Sequence, residues 1–280
     1  MYQRVILTVA VTSLLGSLAA CGSRTAAETQ KTVLAFDPST SDEKAVAAVD
    51  EMAAALGGAE TWAGVKQLRW ELKHKVEDKI TEHFKHSWDI WNGRHRFETP
   101  QNGLVPEYEN GPWLFAMYKL FKRDSGGWVA LTTKPGQNAD SKEVRRVVGQ
   151  AYKVWQRDAY YVAMFFKLKD PGVQLTYAGE RKDFFGTCTD TCLDIMVKYV
   201  EGVGTDTYHV LLNKQTKIPE VIEKVVGGSK MALKVVDWQT VSGLKFPTSL
   251  KNLGANEEFL FENMSIGSPA ESLYVPALSG

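Results

Sequence analysis

The chain has 280 residues, with 33 Lys and Arg against 33 Asp and Glu, a formal net charge of +0, and 44% hydrophobic residues. So even a balance gives no electrostatic reason to expect nucleic acid or a polybasic membrane contact, and the composition is that of a soluble globular domain. Three cysteines are too few for a disulfide-rich scaffold, so the pattern along the chain has to carry the reading.

The first segment reads as an export signal. Arg4 supplies a positive start, and Val5 to Leu15 form an apolar run. That run is too short to span a bilayer, which takes roughly 20 apolar residues. It ends in small residues and a cysteine, Leu18-Ala19-Ala20-Cys21, followed by the polar stretch "GSRTAAETQKT". This box resembles the cleavage and acylation site of bacterial lipoproteins, which implies lipidation at Cys21 and removal of residues 1–20. Two or three acyl chains anchor stably, at about 0.8 kcal/mol per buried methylene. Residues 21–40 then form a flexible tether, and 41–280 a single domain. Gly22 after the cysteine, where an aspartate would favour the inner membrane, implies by the same resemblance an outer-membrane anchor facing the periplasm.

The domain opens with an amphipathic helix, "TSDEKAVAAVDEMAAALGG". Thr40 and Glu43 are spaced as a capping box, Val46, Val49, Met52, Ala53 and Leu56 recur at helical spacing, and Gly57 suits the stop. A short turn, "AETWAGV", follows. From Lys66 the period changes to two: Leu68, Trp70, Leu72, His74 and Val76 share one face, opposite Arg69, Glu71, Lys73, Lys75 and Glu77. "HFKHSWDIW" repeats the alternation with Phe84, His86, Trp88 and Ile90, and "GRHRFE" begins a third strand. Such alternation predicts an antiparallel sheet with one dry face and one wet face. "GPWLFAMYKLFKRDSGGWVALTT" reads as strand and loop, with a hairpin turn at Asp124-Ser125-Gly126-Gly127. A helical insertion follows over about 140–168, carrying Val144, Val147, Val148, Ala151, Tyr152 and Trp155 at helical spacing, and Asp170-Pro171-Gly172 stops it. Seven further strand-like runs complete the chain. The expected fold is α+β: a curved antiparallel half-barrel sheet of about ten strands, with helices covering the concave face.

Cys188 and Cys192, in "GTCTDTC", lie in a polar turn. In an exported protein a disulfide is the favoured reading, with a gain of about 2 kcal/mol for so small a loop. A metal site would need more ligands than the nearby Asp190 and Asp194, so no metal and no cofactor is expected.

The order of elements over 41–267 resembles the lipoprotein-localisation-factor superfamily, the LolA/LolB-like fold. The phrases "RDAYYVAMFFKLKDPGVQLTY", "TYHVLLNKQTKIPEVIE" and "GLKFPTSL" are similar to recurring phrases of exported bacterial proteins assigned to that fold. The resemblance implies an open half-barrel that binds an acyl chain or a lipidated partner. The helical insertion and the cysteine pair depart from the LolB pattern.

Catalytic signals are sparse. "EHFKH" places His83 and His86 on opposite faces of a strand, and it is not a His-Glu-x-x-His zinc motif. His74 and His86 share parity and could face each other as a polar pair. Asp89 and Glu98 read as solvated carboxylates on amphipathic strands, and no nucleophile elbow or phosphate loop is present. The aromatic set Trp70, Trp88, Trp113, Phe115, Trp155, Phe165 and Phe166 fits core packing or the lining of an apolar cavity equally well. The expectation is therefore a non-enzymatic, monomeric binding protein anchored in the membrane by its lipid, with no nucleic-acid partner. Leu68, Trp70, Leu72, Phe84 and Trp88 are the candidate ligand-lining residues. The alternative is an outer-membrane accessory or sensor that works by interaction, with a closed core and no ligand.

Overall fold

The computed structural model describes residues 35–99, 103–108, 117–124, 127–132, 142–182, 188, 190–200, 206–226 and 229–274, with side chains over 35–99 and from 153 onward within those ranges. The signal, Cys21, most of the tether, Trp113 and Phe115 lie outside the described residues.

Two short helices come first, α1 (Glu43–Ala55) and α2 (Ala59–Ala63). Strands β1 (Gln67–Val76), β2 (Lys79–Asp89), β3 (Arg94–Glu98), β4 (Gly103–Tyr108), β5 (Met117–Asp124) and β6 (Gly127–Thr132) follow as a meander. Helix α3 (Lys142–Ala163), continued by a 3₁₀ turn at Met164–Phe166, separates them from β7 (Val173–Lys182), β8 (Thr191–Tyr199), β9 (Thr207–Asn213), β10 (Pro219–Val226) and β11 (Ser229–Val235). The chain ends with β12 (Trp238–Val241), β13 (Leu244–Pro247), β14 (Ser249–Asn252), β15 (Glu257–Gly267) and α4 (Glu271–Tyr274).

Thirteen strands form one open antiparallel sheet in the order β6-β5-β4-β3-β2-β1-β15-β14-β11-β10-β9-β8-β7, and β12 and β13 form a separate hairpin. The sheet is thus wider than the ten strands expected. The stretch "GPWLFAMYKLFKRDSGGWVALTT", read as strand and loop, supplies β5 and β6 paired on either side of the expected turn at 124–127, and β4 adds a strand before it that the sequence reading did not include. "MALKVVDWQTVSG" and "LKFPTSLKNL" each break in two, because the chain leaves the main sheet after Val235 and returns at Ser249. Backbone bonds from Val236 N–H to the Ser249 carbonyl (3.1 Å) and from Thr248 N–H to the Asp237 carbonyl (2.8 Å) clamp that corner. Pro247 ends β13 there, where a residue without an N–H costs no ladder bond.

One face of the sheet is covered. Ala45, Val49 and Met52 of α1 and its C-cap Leu56, Trp155 and Val162 of α3, Phe165 of the turn, and Leu244 and Phe246 of β13 join the sheet residues in a single buried core. The β12–β13 hairpin reaches α1 closely: Lys245 N–H donates to the Leu56 carbonyl at 2.8 Å, and a Cβ on Gly57 would stand 2.1 Å from the Gly243 oxygen. Gly57 also holds φ +113°, so both space and backbone demand glycine after α1.

The expected capping box does not form. Thr40 belongs to a 3₁₀ turn, the N-cap of α1 is Asp42, and no side chain caps the helix. The local polar groups serve the sheet edge instead. Asp42 N–H donates to the Leu175 carbonyl (2.9 Å), Leu175 N–H to Ser41 Oγ (2.9 Å), and Tyr177 N–H to Asp42 Oδ2 (2.8 Å). Edge strand β7 is thereby partly capped, which removes donors that would otherwise invite pairing with another chain.

Candidate functional site

Alternation puts His86 and Trp88 of β2 on the same face as Leu68, Trp70 and Leu72 of β1, and the register sets Trp70 opposite His86 and Leu68 opposite Trp88. On β3 the same parity belongs to His95 and Phe97, with His95 opposite Trp88 and Phe97 opposite His86. Trp70, His86 and His95 stack as a row, with ring centroids 4.5 Å and 5.2 Å apart and planes within about 12°. Phe84 and Phe97 close the row edge to face at 5.7 Å.

Helix α3 lies over this row and brings charge to it. Asp158 falls between Trp155 and Val162 on the buried stripe of α3, fully enclosed. Its Oδ2 lies 3.2 Å from His86 Nε2, an ion-pair contact off the angle of a good hydrogen bond. Its Oδ1 accepts from Arg157 Nε at 2.5 Å. Arg157 Nη1 reaches Glu82 of β2 at 2.8 Å, Glu82 stands 3.5 Å from His74 Nδ1, and His74 Nε2 meets Glu257 of β15 at 2.6 Å. His86 Nδ1 and His95 Nε2 are 3.1 Å apart. A continuous chain of titratable groups therefore runs from the half-buried rim at Glu257 to the fully buried His95.

Electrostatics fix the protons of the neutral chain. Asp158 calls for an N–H on His86 Nε2; His86 Nδ1 is then the acceptor for His95 Nε2–H, and His95 Nδ1 is left as a lone pair. That atom, Trp70 Nε1 and Arg157 Nη2 are buried without a hydrogen-bond partner. Burial, with the nearby His86 charge, holds the His95 imidazole well below its ordinary 6.5. Burial pushes the Asp158 carboxyl up, but His86 and Arg157 outweigh it and leave the group below 3.8. Desolvation alone would lower the Arg157 guanidinium; Asp158 and Glu82 reverse that and raise it.

Space beside this cluster is scant. A pocket lined by Trp88, Trp155, Gln156, Ala159, Tyr160 and Lys167 holds about 10 Å³. That suffices for about one water and is far short of the roughly 300 Å³ of a small-molecule site. The aromatic wall beside it is filled: Trp88 meets Trp155 edge-on at 6.1 Å, and Trp62 stacks on Phe166 at 4.7 Å. Of the five candidate lining residues, Leu68, Trp70, Leu72 and Trp88 are buried in this covered face, and Phe84 is half-buried at its margin.

Two sequence expectations need correction. His74 and His86 do not face each other; His74 pairs with Glu82 and Glu257, and the partner of His86 is His95. Asp89 is not solvated but fully buried, because Asn92 and Arg94 wrap its carboxylate at 2.8–3.1 Å. His83 does point to the opposite face from His86, where it meets Glu71 at 2.8 Å. His95 and Asp158 were not singled out in the sequence, although both carried a signal: each occupies a position that the local period assigns to the apolar face.

Cys188 and Cys192 are joined in a disulfide with a Cα separation of 5.8 Å. They lie on the other side of the sheet, in a small cluster with Leu211 and Val221. Glu220 lies beside them; among the described residues these three form the one group spaced for a metal, and the disulfide already occupies both sulfurs. Nearby, Arg181, His209 and Asp194 form a tight ion cluster at 2.5–2.8 Å.

No protein-family model matches the chain, and no curated protein matches it in sequence. Solved structures do show similarity in shape. A DUF1329 family protein from Desulfovibrio piger is 8% identical with a TM-score of 0.48, covering 84% of this chain and 98% of that one. A putative outer membrane lipoprotein-sorting protein domain from Vibrio parahaemolyticus is 10% identical with a TM-score of 0.46, covering 82% and 96%. A LolA superfamily protein from Nitrosomonas europaea is 10% identical with a TM-score of 0.40, covering 82% and 96%.

Proposed function

We propose that this chain is a lipid-anchored periplasmic binding protein that receives an acyl chain or an acylated partner between α3 and the inner face of β1–β3. The observation that supports it is the seam beneath α3. Apolar Trp88 meets Trp155 of a helix that is not part of the sheet, Leu68, Trp70 and Leu72 lie in the same buried core, and unpaired polar atoms of that core, Trp70 Nε1, His95 Nδ1 and Arg157 Nη2, collect along that seam. Each such atom costs about 1–3 kcal/mol, so the seam is the least costly interface to part. An acyl chain entering there would gain about 25 cal/mol per Å² buried, offset by ordering costs. Attachment at Cys21 would keep the domain at the membrane surface from which such ligands come.

The filled aromatic wall and the pocket of about 10 Å³ favour a second reading, an interaction protein with a closed core. Native mass spectrometry of the delipidated domain separates the two. Co-purifying lipid, or uptake of a fluorescent fatty acyl probe weakened by Trp88→Ala, supports the carrier. A Trp88→Ala loss of about 3–5 kcal/mol in a domain that takes up no probe leaves the closed-core reading standing. The anchor is tested separately: Cys21→Ser should leave the membrane fraction, and retention through an alkaline wash would refute lipidation.

A further inference from the structure

We propose that His86 and His95 form a proton-operated latch between α3 and the sheet, closed while the pair carries at most one added proton and released by the second. The geometry sets that limit. The two imidazoles share one contact, His86 Nδ1 to His95 Nε2 at 3.1 Å, which needs one donor and one acceptor. The neutral pair satisfies it, and so does a single imidazolium at His86, which then donates on both sides, to His95 and toward Asp158. A doubly protonated pair cannot, because two N–H groups would point at each other in a site closed to water.

Charge counting agrees. On α3 the groups facing the pair are Arg157, Asp158 and, further off, Tyr161; on β2 Glu82 adds a carboxylate through Arg157. Two carboxylates against one guanidinium leave one negative charge, enough to balance one imidazolium and no more. On β1 the neighbour is the uncharged Trp70, and His74 and Glu257 meet only the Glu82 end. On β3, Arg94, Arg96 and Glu98 alternate to the opposite parity, Arg94 being spent on Asp89 and Glu271. On β4, Glu107 stands opposite Arg94 rather than His95 in the register. Nothing described is placed to neutralise a second cation.

Release follows from linkage. In the closed form burial disfavours the His95 imidazolium; with α3 lifted, His95 meets water and regains its ordinary pKa near 6.5. The open form therefore binds more protons below that pH, and the open population rises about tenfold per pH unit, until the closed form itself titrates. Asp158, depressed when closed, acts with the same sign but only at and below about its ordinary 3.8.

The test is amide hydrogen exchange of the full chain in detergent, corrected for intrinsic rates, from pH 7 to 4.5. Amides of α3 should lose protection about tenfold per pH unit below 6.5 relative to those of β8 and β9. His95→Phe keeps a ring in the stack without a proton site and should flatten that slope; His95→Gln serves if the Phe variant does not fold. Unchanged α3 protection across the range, or an equal slope in the variant, overturns the latch; the wild-type series decides alone if neither variant folds. What enters once α3 lifts rests on the carrier reading, so uptake of a fluorescent acyl probe is followed in the same samples. Release without uptake overturns the carrier and keeps the latch. Equal uptake at pH 5 and 7 with flat protection overturns the latch and keeps the carrier.

Discussion

The covered face of the sheet is built in two ways. The centre of strands β7–β9 presents Leu175, Ile195, Val197, Val210 and Leu212, all fully buried and aliphatic, while Tyr199 and Tyr208 at its margin meet Tyr160 of α3. Strands β1–β3 present Trp70, His86 and His95, and face a helix that brings Asp158 and Arg157. Both halves lie in one sheet and exclude water equally well. The aliphatic centre needs only shape from its cover, and the tyrosine hydroxyls at its margin are paired, Tyr160 with Tyr199 and Tyr208 with Asp206. The other half needs every polar atom paired, and Trp70 Nε1, His95 Nδ1 and Arg157 Nη2 have neither a hydrogen-bond nor an ion-pair partner. Unpaired polar groups are tolerated where an interface must open, so the contrast marks β1–β3 and α3 as the working end and β7–β9 as the frame.

The largest effect expected within this contrast is at Asp158. Asp158→Asn removes the one carboxylate among the described residues that touches both His86 and Arg157, and removing one partner of a buried ionic group costs about 3–5 kcal/mol. Urea unfolding would measure it. A loss below about 1 kcal/mol would mean that the polar half is already satisfied by water, and the contrast would fail. In the frame, Leu212→Ala should cost about 2–5 kcal/mol through the cavity it leaves, while leaving the exchange of α3 and its pH dependence unchanged. If Leu212→Ala instead loosens α3 as much as the sheet, the two halves are one cooperative unit.

Much of the fold was legible because its rule is local. A period of two gives β1, β2 and β3 their inner faces, and the loss of helical spacing at Asp170-Pro171-Gly172 ends the α3 region correctly. The strand count was harder. The corner at Val236–Thr248 depends on backbone bonds between residues twelve or so apart, and nothing in "MALKVVDWQTVSG" announces that the chain changes sheet there. The polar site was partly legible. His95 follows the parity of Phe97, and Asp158 sits on the stripe of Trp155, so a titratable residue in an apolar position was the available clue. That the two positions converge is not local: it needs α3 laid across β2 and β3. Asp89 was misread for the same reason, since its burial depends on Arg94 reaching back from the next strand. Thr40 was misread because Ser41 and Asp42 bind the β7 edge instead.

The disulfide tests the frame from its outer side. Cys188→Ser with Cys192→Ser should cost about 2 kcal/mol, the chain-entropy gain for so small a loop. It should leave acyl uptake and the pH slope of α3 unchanged, because the pair packs with Leu211 and Val221 and not with the covered core. Thiol labelling under denaturing, non-reducing conditions should find neither sulfur free; stoichiometric labelling of both would reopen the metal reading with Glu220.

The smallest effect belongs to the outer face of the working end. Lys73 Nζ lies 2.6 Å from Glu262 Oε2, with the two side chains 29% and 41% exposed. Water screens such a pair, and holding two long side chains costs rotamer entropy, so exposed pairs contribute about 0.2–1 kcal/mol. Lys73→Met should therefore lower stability by less than about 1 kcal/mol at low salt, and the difference should shrink in 1 M salt, where the Debye length falls to about 3 Å. The same β1 strand thus carries residues whose loss is severe on one face and slight on the other, Trp70 and Lys73 being three positions apart. A loss above about 2 kcal/mol that persists in high salt would contradict this. It would mean that the outer face of β1 is not a water face, and that something covers it in the protein as it works.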